Sequence, residues 1–171
     1  MSTQKKVFIF QGMCYSGKST LGKMTADTLG LPFLDSRDLF FKTHGMSEID
    51  YLKENGKEKF IEAEKLSLQQ DFEGVLSVGG SAVYYDEEMT ALKNKYNVIW
   101  LDVDYDVIVS RKEAEAKERP IVYPDGINSF LELYQQRSRL YNKFYDYRVK
   151  VTENEPIKKT IQKILITLIN N

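Results

Sequence analysis

The chain has 171 residues, 42% of them hydrophobic, which fits one domain of ordinary size with one substantial core. Its 24 basic and 25 acidic residues leave a net charge of -1, so bulk electrostatics give no case for nucleic-acid binding. No apolar run approaches the length of a membrane span, and the four apolar residues after Lys5 and Lys6 are too few for a signal-peptide core.

The single cysteine, Cys14, cannot form an internal disulfide, and the expected location is the cytoplasm. Four prolines and no low-complexity tract argue against long linkers, and no internal repeat is visible.

Residues 6–10 predict the first strand. It runs into Gly12-Met13-Cys14-Tyr15-Ser16-Gly17-Lys18-Ser19-Thr20, and residues 18–29 predict a helix ended by Gly30. Strand, Gly-rich turn and helix in that order are the setting a phosphate-binding loop requires. Gly17 permits the turn, successive N–H groups form an anion cradle, and the helix N-terminus adds its dipole. Lys18 suits the β- and γ-phosphates of a nucleoside triphosphate, and the Ser19 hydroxyl suits Mg²⁺. Cys14, inside this loop, reads first as a small residue that fits there. A redox role is the second reading, because helix N-termini lower thiol pKa.

Leu31 to Leu34 predicts a short second strand leading into Asp35. Residues 37–72 predict helix, broken near Gly45 and again at Asn55-Gly56. His44, the only histidine, is expected in a loop with no catalytic role. Val75 to Val78 predicts a buried strand, followed by Gly79-Gly80-Ser81. A helix over 86–95, a strand over 97–102 and a helix from Tyr105 past Arg111 come next. Residues 113–126 are polar, with a turn signal at Pro124-Asp125-Gly126, and predict a mobile lid. A long helix is expected over 127–145, then a strand over Tyr147 to Val151. Pro156 opens a final helix whose stripe Ile157, Ile161, Ile164, Leu165 and Leu168 predicts core packing. Alternating strands and helices predict a three-layer α/β/α sandwich on a five-stranded parallel sheet.

These features together resemble the shikimate kinase family, small kinases with a phosphate-binding loop. The resemblance spans nearly the whole chain. It rests on the loop at 12–20, Phe33-Leu34-Asp35-Ser36, the stretch from Gly56 to Glu64, and Leu76 to Val83. Arg111, Arg119-Pro120, and Arg137 with Tyr141 complete it. It implies ATP and Mg²⁺ as cofactors, a small-molecule acceptor and a monomer. Gly12 through Thr20 then hold nucleotide, Arg111 packs on adenine, and Arg119 closes over the phosphates. Ser19 and Asp35 serve the metal. Asp35, Gly79, Gly80 and Arg137 meet the acceptor, with Arg137 gripping a carboxylate. Lys18, Arg119 and Asp35 are the implied catalytic residues.

Four positions depart from the family pattern. Tyr15 stands where a glycine is usual. Ser81 replaces the third glycine of the Gly-rich turn. Arg37 replaces the second acid of the Asp-x-Asp motif. Of Gly-Glu-x-x-Phe-Arg, only Gly56 and Phe60 remain, with Lys57 and Ile61 in place of the glutamate and arginine. Two repairs are open: Asp38 supplies the acid one residue later, or Arg37 replaces the lost cation and holds an acidic acceptor. The nucleotide half therefore reads as intact and the acceptor half as altered. The leading expectation is an ATP-dependent kinase acting on shikimate or a related polar acceptor. The alternatives are a kinase with a different acceptor, a non-catalytic nucleotide-binding module and, ranked lower, a nucleoside-monophosphate kinase.

Overall fold

In the computed structural model, which describes residues 7–116 and 121–169, five parallel strands form one sheet flanked by helices. The strands are β1 (Val7–Gln11), β2 (Phe33–Asp35), β3 (Gly74–Ser77), β4 (Asn97–Val103) and β5 (Tyr147–Val151), in the order β2-β3-β1-β4-β5. All pairings are parallel, with Ile9 opposite Leu76 on one side and Val98 on the other. β1 is therefore central, with neighbours that come later in the chain. Ligands of open parallel sheets bind at the carboxyl end of strands where the connections part in this way.

The helices are α1 (Lys18–Leu29), α2 (Ser36–His44), α3 (Glu48–Leu68), α4 (Asp86–Lys95), α5 (Tyr105–Ala114), α6 (Phe130–Tyr141) and α7 (Ile157–Ile169). A short 3₁₀ turn covers Ala82–Tyr84. Gly30 and Gly45, both left-handed, end α1 and α2 where the sequence puts the breaks. At Gly56 the chain leaves helical geometry (φ 82°, ψ 170°) and divides α3 in two.

Two expectations are corrected. His44 is the last residue of α2 rather than part of a loop. Its Nε2 lies 3.1 Å from the Ala63 carbonyl, which can only accept, so the ring donates there. It also stacks on Phe40 and Tyr51, a packing role. The helix expected over 127–145 is shorter. Ser129 caps α6 late, exchanging hydrogen bonds with Glu132 in a capping box. At its other end the buried Gln11 amide donates to the carbonyls of Tyr141 (3.1 Å) and Phe144 (2.5 Å), and the chain leaves the helix.

The main core lies between the sheet and its helices. Ile9, Phe10, Val75, Val98, Ile99, Ile108, Leu133 and Ile164 are almost fully buried there. A smaller cluster of Phe40, Phe60 and Ala63 joins α2 to α3. The α7 stripe is only partly core: Ile161 and Ile164 are buried, while Ile157 is 47% exposed. No helix among the described residues is long and apolar enough to cross a membrane.

Removing buried aliphatic atoms loses transfer energy and leaves a cavity. Ile164→Ala is predicted to cost about 2–5 kcal/mol in denaturant unfolding. Ile166→Ala, at a side chain 60% exposed on the same helix, is predicted to change stability by less than about 0.5 kcal/mol.

Candidate active site

The loop between β1 and α1 places Lys18 at the first turn of α1, 9% exposed. Its Nζ donates to the carbonyls of Gly12 (2.9 Å) and Met13 (2.8 Å), so the ammonium lies folded along the loop. The loop needs Gly12 for space: a Cβ there would stand 2.8 Å from the Leu101 carbonyl oxygen. Tyr15 adopts φ 64°, the left-handed conformation that a glycine takes without strain. Its ring is 7% exposed and joins the main core, and that burial offsets a backbone cost of about 1–3 kcal/mol. Tyr15 thus takes the left-handed conformation itself.

Arg111, from α5, donates to the carbonyls of Tyr15 (3.2 Å) and Ser16 (3.0 Å), and partial burial lowers its pKa. The Ser16 hydroxyl is buried and finds no hydrogen-bond partner among the described residues. A cavity of about 530 Å³ opens beside the loop, lined by residues 15–21, Arg37, Arg111 and, from the β5–α7 region, Val151, Glu155, Ile157 and Thr160. Ile157 thus belongs to this cavity.

Asp35, at the carboxyl end of β2, is 6% exposed and receives four hydrogen bonds. The Ser19 hydroxyl donates to it at 2.5 Å, and the Arg37 backbone N–H at 3.0 Å caps α2. Nε and Nη2 of Arg37 donate at 2.9 and 3.2 Å, one to each carboxylate oxygen. Burial alone pushes the Asp35 pKa up. The bonds from Arg37 and Ser19 outweigh it and hold the carboxyl below its ordinary value. Arg37 is therefore a clasp on Asp35. Asp38 does not rebuild the acid, since it is exposed and lies outside the cavity walls.

A second cavity of about 150 Å³ lies on the other side of the loop. It brings together Cys14, Lys18, Ser19, Asp35, Arg37, Gly79, Gly80 and Arg137. Lys18, Ser19 and Arg37 line both cavities. Gly80 leaves no room for a side chain: a Cβ there would lie 3.0 Å from Arg137 Nη1 and 3.3 Å from the Cys14 nitrogen. Arg137 is 3% exposed, stacks 5.3 Å from the Tyr84 ring centroid, and makes no ion pair among the described residues. It donates long hydrogen bonds, 3.4 Å to the Tyr84 hydroxyl and 3.4 Å to the Val122 carbonyl. Burial works against its charge, but Tyr141 and Tyr84 more than compensate and raise its pKa.

Two acids in this cavity carry no role in the sequence reading. Glu64 accepts from the Tyr85 hydroxyl and from Ser81 (3.1 Å). Burial raises its pKa, and the hydroxyls offset this only in part. Ser81, in place of the third glycine, thus anchors Glu64. Glu48, at the start of α3, also faces the cavity, and burial with repulsion from Glu64 pushes its pKa to about 7. Sequence gave no signal for Glu48, which reads as an ordinary acid in a first helical turn.

Arg119 lies outside the described residues, as do residues 117–120 of the expected lid. Among the described part, Ile121 and Val122 line the second cavity and Pro124 to Ile127 form the expected turn. Among the described residues no group of three His, Cys, Asp or Glu side chains is placed to hold a metal. Ser19 and Asp35 are hard oxygen donors of the kind Mg²⁺ takes alongside phosphate oxygens and water, so this pair fits the ion.

A phosphate-binding loop at the carboxyl end of a central parallel strand, with a second cavity across it, defines a small-molecule kinase of the P-loop class. Comparison with known proteins narrows this. The sequence model of the shikimate kinase family matches residues 15–169, and the chain belongs to that family. It is 27% identical over 169 residues to a shikimate kinase of Aquifex aeolicus, covering 97% of each protein. The fold is similar to the crystal structure of Bacteroides thetaiotaomicron shikimate kinase (TM-score 0.82, 24% identity, 95% of this chain and 98% of that one). It is also similar to Acinetobacter baumannii shikimate kinase in complex with shikimate (TM-score 0.81, 24% identity, 98% and 95%). The family uses ATP, generally with Mg²⁺.

A carboxyl group whose pKa is raised on folding binds its proton more tightly in the folded state. For Glu48 the stability so gained is fully present below the ordinary value of 4.5 and is lost as pH rises through about 7. Glutamine mimics the protonated form. Glu48→Gln is therefore predicted to melt a few degrees above the parent at about pH 8, and with it at about pH 4. A constant offset at both pH values would contradict the assignment.

Proposed function

We propose that this chain transfers the γ-phosphoryl group of ATP to a hydroxyl of shikimate or a related small polar acceptor. The observation that carries the reading is the meeting of two cavities at Lys18, Ser19 and Arg37. Nucleotide occupies the larger and acceptor the smaller, so transfer takes place across the loop.

The backbone of Gly12, Met13, Cys14, Tyr15, Ser16 and Gly17, with Lys18, Ser19 and Thr20, holds the phosphates. Lys18 leaves the Gly12 and Met13 carbonyls for the β- and γ-phosphate oxygens. Its charge then offsets what builds up on the transferred group. Arg111 flanks the base and keeps the loop's carbonyls turned outward. Arg119, with the rest of the 113–126 lid, closes over the phosphates and excludes water. Ser19 and Asp35 would hold Mg²⁺, which when bound would supply charge neutralisation to the phosphates. Asp35, Arg37, Gly79, Gly80 and Arg137 form the acceptor side, with Arg137 reading an anionic group.

Asp35 is a weak base, since its hydrogen bonds hold it ionised at low pH. That suits phosphoryl transfer, in which catalysis comes from positioning and electrostatics. Asp35 would orient the acceptor hydroxyl or the metal by exchanging one of its present donors, Arg37 or Ser19, for it. The whole chain acts as one kinase domain, monomeric and cytoplasmic, with acceptor-binding helices over 37–72. The Acinetobacter baumannii relative is in complex with shikimate, which supports shikimate as the first acceptor to test. A second reading, a nucleotide-binding module without transfer, draws on the Arg37 clasp, which ties up Asp35.

The test is a coupled assay of ADP formation with Mg²⁺-ATP, with and without acceptor. Lys18→Ala is predicted to lower acceptor-dependent turnover by at least about a hundredfold. Full activity in that variant would remove the loop from the mechanism. Normal ATP binding with no acceptor-dependent turnover by the parent would favour the binding module.

A further inference from the structure

The turn Gly79-Gly80-Ser81 follows β3 and forms one wall of the smaller cavity. Two successive glycines carry no side chain that could pin them, and fixing their backbone costs more entropy than at any other residue type. The turn nevertheless has little room. A Cβ on Gly80 would lie 3.0 Å from Arg137 Nη1 and 3.3 Å from the Cys14 nitrogen, so its backbone packs between Arg137 and the phosphate loop. In so close a contact a displaced turn displaces Arg137 as well.

The groups that hold the turn come from two helices. The Tyr141 hydroxyl, on the helix that carries Arg137, donates to the Gly80 carbonyl at 2.8 Å. From α3, beyond the break at Gly56, Glu64 receives the Ser81 hydroxyl at 3.1 Å and the Tyr85 hydroxyl. One carboxyl group thus ties the last residue of the turn to the residue that opens α4, across the 3₁₀ turn between them. Glu64 makes no ion pair among the described residues, and Ile61, one helical turn earlier, brings it no charge. Ser81 is the first residue after the two glycines with a side chain to offer. A glycine there could not make this bond, so the departure from the family pattern is what connects the turn to α3.

Tyr85 separates a direct role from a transmitted one. Its ring is 5% exposed, belongs to the main core, and lines neither cavity. Its hydroxyl is out of reach of nucleotide and acceptor, and any effect it has on acceptor binding passes through Glu64. Glu64 and Ser81 line the smaller cavity and not the larger one.

We propose that Glu64 is a positioning residue for the acceptor: through the hydroxyls of Ser81 and Tyr85 it holds the Gly79-Gly80 turn against Arg137, and so sets where the acceptor's anionic group is bound. This rests on the kinase reading above and deepens it. The nucleotide side of the loop is untouched by the arrangement.

The experiment measures shikimate-dependent ADP formation by the parent, Tyr85→Phe, Ser81→Ala, Ser81→Thr and Glu64→Leu, and by the first two substitutions placed in Glu64→Leu. Tyr85→Phe and Ser81→Ala are each expected to raise KM for shikimate about three- to tenfold, with kcat changing less than about twofold. Ser81→Thr keeps the hydroxyl and should stay within about twofold of the parent in KM. In the Glu64→Leu background the two hydroxyl substitutions should raise KM no further, because they act through the group already removed. ATP affinity by calorimetry should match the parent throughout, which also shows that each variant is folded. A Tyr85→Phe variant that melts earlier but keeps the parent's KM makes the hydroxyl a stability contact only and overturns the proposal alone. Ser81→Ala and Tyr85→Phe effects that persist in full without Glu64 overturn it too. The single hydroxyl variants decide the question even where Glu64→Leu does not bind ATP. ATP binding by the parent without acceptor-dependent turnover overturns the kinase reading and this proposal with it.

Discussion

Asp35 is the point on which the two halves of the site depend. One buried carboxylate receives the hydroxyl that opens α1, the backbone N–H that opens α2, and both arms of the Arg37 guanidinium. The hydroxyl ties the first turn of α1 to the end of the second strand, and the N–H caps α2. The guanidinium adds a local constraint. It fills the carboxylate's remaining acceptor positions and keeps it ionised. An acid held in this way is poorly suited to removing a proton, and a ligand hydroxyl would reach it only by displacing one of its present donors.

The consequences differ on the two sides of the loop. Towards the nucleotide, the one departure is at Tyr15. Tyr15 accepts a left-handed backbone where glycine is usual, and the buried ring offsets the strain. Towards the acceptor, the charges have been redistributed. Arg37 is spent on Asp35, Ile61 is apolar, and Arg137 faces Glu48 and Glu64. Family membership fixes the reaction class, while the acceptor cavity carries its own charge pattern.

Much of this was legible in the sequence, where local signals dominate. The phosphate loop, α1, α4 and β5 fall where their glycines and apolar periods put them. The end of α6 did not, because the buried Gln11 that captures the Tyr141 and Phe144 carbonyls is far away along the chain. Its start was readable from Ser129 and Glu132, a capping pair that outweighs the apolar residues before it. Position 37 was open to two readings, an acid supplied by Asp38 or an Arg37 that holds an acidic acceptor, and the turn into α2 shows a third arrangement, Arg37 on Asp35. Glu48 was invisible, because nothing local distinguishes an acid in a first helical turn from one folded over a cavity. The break at Gly56 was legible; what it brings together was not.

We propose that the nucleotide half works as a family site and that Arg37 and Ile61 weaken, without abolishing, the grip on shikimate. The direct test is kcat/KM for shikimate in the parent and in Arg37→Asp with Ile61→Arg, with ATP affinity measured in both. A gain of about tenfold or more at unchanged ATP affinity is the predicted result. A parent enzyme that already turns over shikimate efficiently, and loses that activity in the double variant, would contradict it.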